Sequence, residues 1–435
     1  MKKWLSLVAS LLCAGCMGVA EDTPDAGTSL TDSGVADAGL EVDAGDVTDA
    51  GTPDAGHDDD AGVPDAGLDA GVPDAGTTVD AGLRPIFVAI GKQRRRAISC
   101  DDGLTWTHDV TIDDAWPMDE RYRCFDGTFT LPDGGSQSTD CDHNEWSSLG
   151  LVFGDGYFVH TMGWGAPGTV FRSSNGIDWQ QVATGVNATE VMFDEHRFVL
   201  ATRSTRRSDD RGATWVDLND IPVANGSNTI WNVRGGVAGG GVFVVTAQDG
   251  SNYDVQRSAD RGETWQRPTM TNGGRLDACG AGRPVFGNGV FVTVRNDSGD
   301  TTVCRSDDGA LTWSSVQLNG VSIESRLVWT GTEFIMWSPG GVHRSPDGIT
   351  WTSQPTQTRR NGNLSSGPNI GAVARGPGGT FVATRGGWQV WYENQRFYRS
   401  TDGTIWDELP AGAFEPGHPI TAMASGMVER SAACP

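Results

Sequence analysis

From Pro85 to the end of the chain, short apolar stretches of four to eight residues alternate with clusters of Gly, Asp, Asn and Ser. Residues 149–182 show the unit: "LGLVFG", a "DG" turn, "YFVHTM", a Gly-rich loop, "TVFRS", the turn "SNGID", then "WQQV". Runs of this length, rich in β-branched and aromatic residues and bounded by turn residues, predict strands. Four in a row joined by short turns predict an antiparallel meander. First and second strands of further units read as "EVMFDEHRFVLAT", "GGVAGGGVFVVTA", "RPVFGNGVFVTV", "RLVWTGTEFIMW" and "GAVARGPGGTFVAT".

Seven such units in about 350 residues predict an all-β, seven-bladed β-propeller of four-stranded antiparallel blades, because radial repetition is how a chain of this length avoids long exposed sheet edges. The two ends support that count. The first unit begins at "PIFVAIG", which matches a second strand, whereas "HPITAMASGMV" near the C-terminus matches an inner strand that has no unit of its own. Residues 419–428 are therefore expected to complete blade one and close the ring.

One phrase punctuates every unit: "ISCDDGLTW", "RSSNGIDW", "RSDDRGATW", "RSADRGETW", "RSDDGALTW", "RSPDGITW" and "RSTDGTIW". It resembles the Asp-box, or bacterial neuraminidase repeat, with the pattern S-x-D-x-G-x-T-W. Ser99 to Trp106, Ser208 to Trp215 and Ser258 to Trp265 match in full. In the other four, the glycine comes one residue early (Gly176, Gly309, Gly348, Gly403), and Asn175 stands where one copy would have Asp. A residue type needed in all seven blades serves the architecture. Asp101, Asp210, Asp260, Asp308, Asp347 and Asp402 are thus read as turn residues whose oxygens accept backbone N–H bonds, with Gly at positive φ and Trp packing between blades.

Composition divides the chain before the propeller starts. Residues 1–16 read as an export signal with Lys2, Lys3, a short apolar run and the lipobox-like "CAGC", so Cys16 is the expected lipidation site. Residues 17–83 form an acidic tether. "DAG" occurs ten times there, with no Lys, Arg or aromatic residue between Glu21 and Leu83, and such a segment cannot bury a core. Residues 84–435 carry the propeller, with one long insertion at 109–148. The net charge of −24 falls mostly on the tether, leaving about −9 on the propeller, so a nucleic-acid partner is not expected. The cysteine and histidine spacings fit no usual metal site, and no cofactor is expected.

Six cysteines of an exported chain lie in the propeller and are expected to form disulfides. On the propeller frame Cys100 and Cys434 share a rim, Cys124 and Cys141 share the insertion, and Cys279 pairs with Cys304 by elimination.

If repetition marks structure, ligand chemistry belongs where the blades differ, on the rim opposite the Asp-boxes. The insertion offers Trp116, Tyr122 and Trp146 as contact residues. Second-strand ends offer Arg94 in "KQRRR", Arg203, Arg295 and Arg385, and "RGGWQVWYENQRF" offers Trp388 and Trp391. The Asp-box resemblance implies a sialidase-like exo-acting glycoside hydrolase as one function. That enzyme would need an arginine triad on a sialate carboxylate, a Tyr392 nucleophile with Glu190 or Glu393, and an acid at Asp114 or Asp119. Sialidase propellers have six blades, however, and their "RIP" opening appears here only as "LRPIF". The expectation is therefore a single-copy cell-surface or outer-membrane lipoprotein, held to the membrane through Cys16, that binds carbohydrate or protein on the variable rim. The sialidase-like hydrolase and a soluble secreted form are the alternatives.

Overall fold

A computed structural model describes residues 82–435 except 92–94, 111–128, 131–135, 138–146, 164–167, 187, 203, 223–231, 250–251, 272, 274–275, 298, 324, 387–395, 411–412, 415–419, 433 and 435. The fold is all-β, a seven-bladed propeller of antiparallel blades. Blade 2 is the plain case: Ser147–Gly154 lies innermost, followed outward by Tyr157–Gly163, Thr169–Ser173 and Gln180–Thr184. Blade 4 has three strands, and its fourth position shrinks to a bridge between Arg257 and Gln266. Pro268 follows two residues later and has no N–H to extend the ladder.

Ring closure falls one residue from the expected register. Ile420–Glu429 pairs antiparallel with Leu83–Gly91 and forms the inner strand of blade 1. Cys100 and Cys434 are disulfide-bonded 334 residues apart, and a second bond joins Cys279 to Cys304 on blades 4 and 5. Cys124 and Cys141 lie outside the described residues, as do the signal, Cys16 and the tether through residue 81. Two residues at each end of the expected insertion belong instead to blade strands, Thr107–Val110 and Ser147–Gly154.

Six of the seven repeated turns are closed by their own acid. In blade 3, Asp210 Oδ1 accepts from Thr214 N (2.8 Å) and from Ser208 Oγ (2.8 Å), while Thr214 Oγ1 donates to Oδ2 at 2.6 Å. Asn175 serves in blade 2, accepting from Ile177 N (2.9 Å) and Asp178 N (2.8 Å). All seven turn glycines take positive φ, from 70° at Gly403 to 86° at Gly262. Burial works against ionisation of Asp210, but the Thr214 and Ser208 bonds outweigh it and hold the carboxyl down at about 2.

The phrase also joins blades. Its tryptophan packs on the preceding blade every time: Trp106 lies 4.9 Å from Phe397 of blade 7, and Trp406 lies 5.5 Å from Trp337 of blade 6. Trp179, Trp215, Trp265, Trp313 and Trp351 occupy the equivalent clusters. The arginine that opens most copies reaches the other way. Arg257 Nε donates to Gly309 O, Arg305 Nε to Asp347 O and Arg399 Nε to Asp102 O, each at 2.8 Å. Arg207 reaches Glu263, and Arg344 reaches the Asp402 carbonyl. Five blades are thus tied to the turn of their successor. Blade 1 has Ile98 at this position, and Arg172 of blade 2 bonds Gln180 of its own blade.

Around the axis, large rings sit on small residues. A Cβ on Gly154 would meet Phe193 of blade 3 at 2.3 Å, one on Gly239 would meet Phe286 of blade 5 at 2.1 Å, and one on Gly287 would meet Trp329 of blade 6 at 2.2 Å. Gly426 of the closing strand makes the same hollow for Phe153, at 2.4 Å. Where blade 4 meets blade 3, Ala238 and Asp194 hold the corresponding positions, so no ring fills that step. The axis is therefore left open there.

Two additions to the outer edges of blades were not expected. Thr269–Met270 adds parallel to the outer strand Thr312–Leu318 of blade 5. The hairpin Gln357–Arg360 and Asn363–Ser366 adds parallel to the outer strand Ile405–Glu408 of blade 7. Both are detours of inter-blade links.

Candidate functional site

Strand direction alternates within a blade, so first-to-second and third-to-fourth turns share one rim. Second-to-third turns and inter-blade links share the other. The repeated acids occupy the first rim, and inner strands begin at the second.

An axial cavity of about 610 Å³ runs between the inner strands of blades 2 to 6 and touches Val373 of blade 7. This lies within the range of small-ligand sites. Its wall is mixed, with apolar side chains including Met192, Val237, Phe286, Leu327 and Trp329. Its polar groups are separated by position along the strands. Glu190, Arg283 and Arg326 stand at or just before the inner-strand starts of blades 3, 5 and 6, towards the link rim. Asp194 and Glu195 stand at the other end of the blade 3 inner strand, Glu190–Asp194. Four residue steps separate Glu190 from Asp194, roughly 13 Å along an extended chain.

Glu190 is 6% exposed and ion-paired to Arg283 Nη1. Burial pushes its carboxyl up, and the Arg283 and Arg326 charges oppose that shift. Arg326 donates from Nη2 to Thr421 O of the closing strand at 2.9 Å. Burial, reinforced by the like charge of Arg283, pulls its pKa down to about 9, so it stays cationic at neutral pH. The cluster therefore holds two cations and one anion.

Space for it comes from blade 4. A Cβ on Gly235 would stand 2.7 Å from Arg283 Cα, and one on Gly236 would stand 2.6 Å from Met192 Sδ and 3.4 Å from Glu190 Cγ. The ladder slips between Val233 and Gly235, so "VRGGV" marks a bulge beside the site.

Of the residues nominated from sequence, Glu190 lines this cavity. Arg295 does not: its guanidinium lies 5.3 Å from the ring centre of Tyr253, and Nη1 donates to Asp277 O at 3.2 Å. Arg234 approaches the same ring at 6.0 Å, which makes a cationic pair around Tyr253 on the link rim of blades 4 and 5. Arg385 ends the second strand of blade 7, opposite Ile370, and is not part of the cavity wall. Arg96, neighbour of Arg94, lies 5.7 Å from Phe171 and 5.5 Å from Trp179. Arg94, Arg203, Asp114, Asp119, Trp116, Tyr122, Trp146, Trp388, Trp391, Tyr392 and Glu393 lie outside the described residues. Arg283 and Arg326 went unnoticed in the sequence, where each is a lone arginine ahead of an apolar strand. Among the described residues no group of three or more His, Cys, Asp or Glu side chains is placed to hold a metal ion.

No protein-family model and no curated protein matches this sequence. Solved propellers do. A quinoprotein alcohol dehydrogenase-like protein from Bacteroides thetaiotaomicron is similar at 10% identity and TM-score 0.47, over 79% of this chain and 77% of that one. YCF48 from Cyanidioschyzon merolae is similar at 15% identity and TM-score 0.40, over 65% and 87%. A Hadza microbial sialidase is similar at 17% identity and TM-score 0.36, over 62% and 67%. Site chemistry has to come from this chain's own residues.

Proposed function

We propose that the chain is an exported, lipid-anchored propeller that binds a carbohydrate or protein ligand at the cell surface, and that the ligand enters the axial cavity from the link rim. The observation that carries this reading is the separation of carboxylates. Glycoside hydrolysis by paired acids needs two carboxyl groups about 5–9.5 Å apart. Within the cavity wall, Glu190 is committed to Arg283, and Asp194 lies at the far end of the same strand. The six repeated aspartates are occupied in closing their turns, each accepting a backbone N–H within its own turn. Among the described residues this arrangement grips a ligand and sets Glu190 apart from the adjoining acids Asp194 and Glu195.

The test pairs two assays on the intact chain. Glycan-array or surface-protein binding without turnover of aryl glycosides and a fluorogenic sialoside is the expected result. Turnover abolished by Tyr392→Phe would replace this reading with the sialidase-like one. For the anchor, labelling with an alkyne fatty acid is expected in the wild type and absent in Cys16→Ser. Equal labelling of both would remove Cys16 from the account.

A further inference from the structure

We infer that the axial cavity takes an elongated organic monocarboxylate, with its carboxylate on Arg326 and Arg283 and its apolar body lying along the channel towards Asp194. This rests on the binding reading above for the cavity and adds a small monocarboxylate to the carbohydrate or protein bound at the surface.

The charge count comes first. Among the described residues, Arg283 and Arg326 face one carboxylate, Glu190, which leaves one positive charge in excess; Glu324, two residues before Arg326, lies outside them. Arg283 shares its guanidinium with Glu190, while among the described residues Arg326 donates to a backbone carbonyl and to no acid side chain. An excess cation held within a protein is unfavourable, and an incoming anion offsets it. A monoanion brings the cluster to neutrality. A phosphate dianion would overshoot by one charge and leave the opposite imbalance.

The shape comes second. Beyond the arginines the wall offers Met192, Val237, Phe286, Leu327 and Trp329, which reward an apolar body. The far end is acidic, with Asp194 and Glu195 on the wall. A second carboxylate on the ligand would stop against these groups, which selects against dicarboxylates of matching length. The separation of Glu190 from Asp194, roughly 13 Å along the strand, sets the scale for a chain of about eight carbons.

Four eight-carbon probes separate these arguments by calorimetric titration of the folded chain: octanoate, octanamide, octanedioate and octyl phosphate. Octanoate is expected to bind about tenfold or more tighter than each of the other three, the scale of a charge-assisted hydrogen bond. Arg326→Gln is expected to lose that preference. Glu190→Gln, which raises the cluster to two excess positive charges, is expected to strengthen octanoate and to admit octyl phosphate. A purely structural role for Glu190 would not reverse selectivity in that way. Should Arg326→Gln fail to fold, the Glu190→Gln titration decides alone. Equal affinity for octanoate and octanamide, or no saturation by octanoate up to ~10 mM, overturns the inference. Either result leaves the binding module standing if the glycan or protein screen is positive, whereas glycoside turnover would remove the module itself.

Discussion

At Asp260 both turn oxygens are engaged within the turn. Oδ1 accepts from Thr264 N and Ser258 Oγ, and Oδ2 accepts from Thr264 Oγ1. Asp260→Ala therefore leaves several donors without a partner at the surface, and a loss of about 1–2 kcal/mol is expected by urea titration. The arginine of the phrase acts at the same scale. Arg305→Ala removes the Asp347 carbonyl's partner on blade 6 and the pair with Asp307, and about 1 kcal/mol is expected from the same measurement. Arg172→Ala, which ties no successor blade, is expected to cost less. Reversal of that order would mean that the arginine repeat has no joining role.

Strands and turns show what could be read ahead of the structure. The short apolar runs and Asp-Gly turns identified the blades, and the orphaned "HPITAMASGMV" identified the closing strand within one residue, because each matches a local pattern that recurs along the chain. The hairpin at Gln357–Arg360 and Asn363–Ser366 was not legible, since its partner Ile405–Glu408 is remote in sequence and the pairing is parallel. The site divided in the same way. Glu190 was named only as a partner for Tyr392 in the sialidase-like reading, and Arg283 and Arg326 converge on it because the ring brings three inner strands around one axis. The glycine hollows along that axis give an element-scale prediction. Gly287→Ala sets a methyl 2.2 Å from the Trp329 ring, so the inner strands of blades 5 and 6 must part. Destabilisation of about 1–3 kcal/mol is expected. Gly289→Ala in the adjoining turn, where no atom lies within 4 Å, incurs only the positive-φ penalty and is the control.

For the molecule as a whole, stability rests on a ring closed at one seam and on acids held ionised around one rim. The Cys100–Cys434 bond spans the seam, and Cys434→Ser is expected to cost about 2–5 kcal/mol. Equal stability of the oxidised and reduced wild type would mean that pairing of Ile420–Glu429 closes the ring unaided. The turn acids set the response to pH. Asp101, Asp210, Asp260, Asp308, Asp347 and Asp402 all titrate below the ordinary aspartate value. A depressed acid contributes stability that is present above its unfolded value, about 3.9, and is lost as pH falls through its folded value. A fall in melting temperature is therefore expected between about pH 4 and pH 2. Flat stability across that interval would contradict the turn hydrogen bonds.

The division between a repeated frame and a single axial site is tested most directly by crossing two variants with two readouts. Asp260→Ala is expected to lower the melting temperature by about 2 °C while octanoate affinity stays at the wild-type value. Arg326→Gln is expected to abolish octanoate selectivity whatever its melting temperature. Loss of octanoate binding in a fully folded Asp260→Ala protein, with Arg326→Gln still selective, would contradict the division.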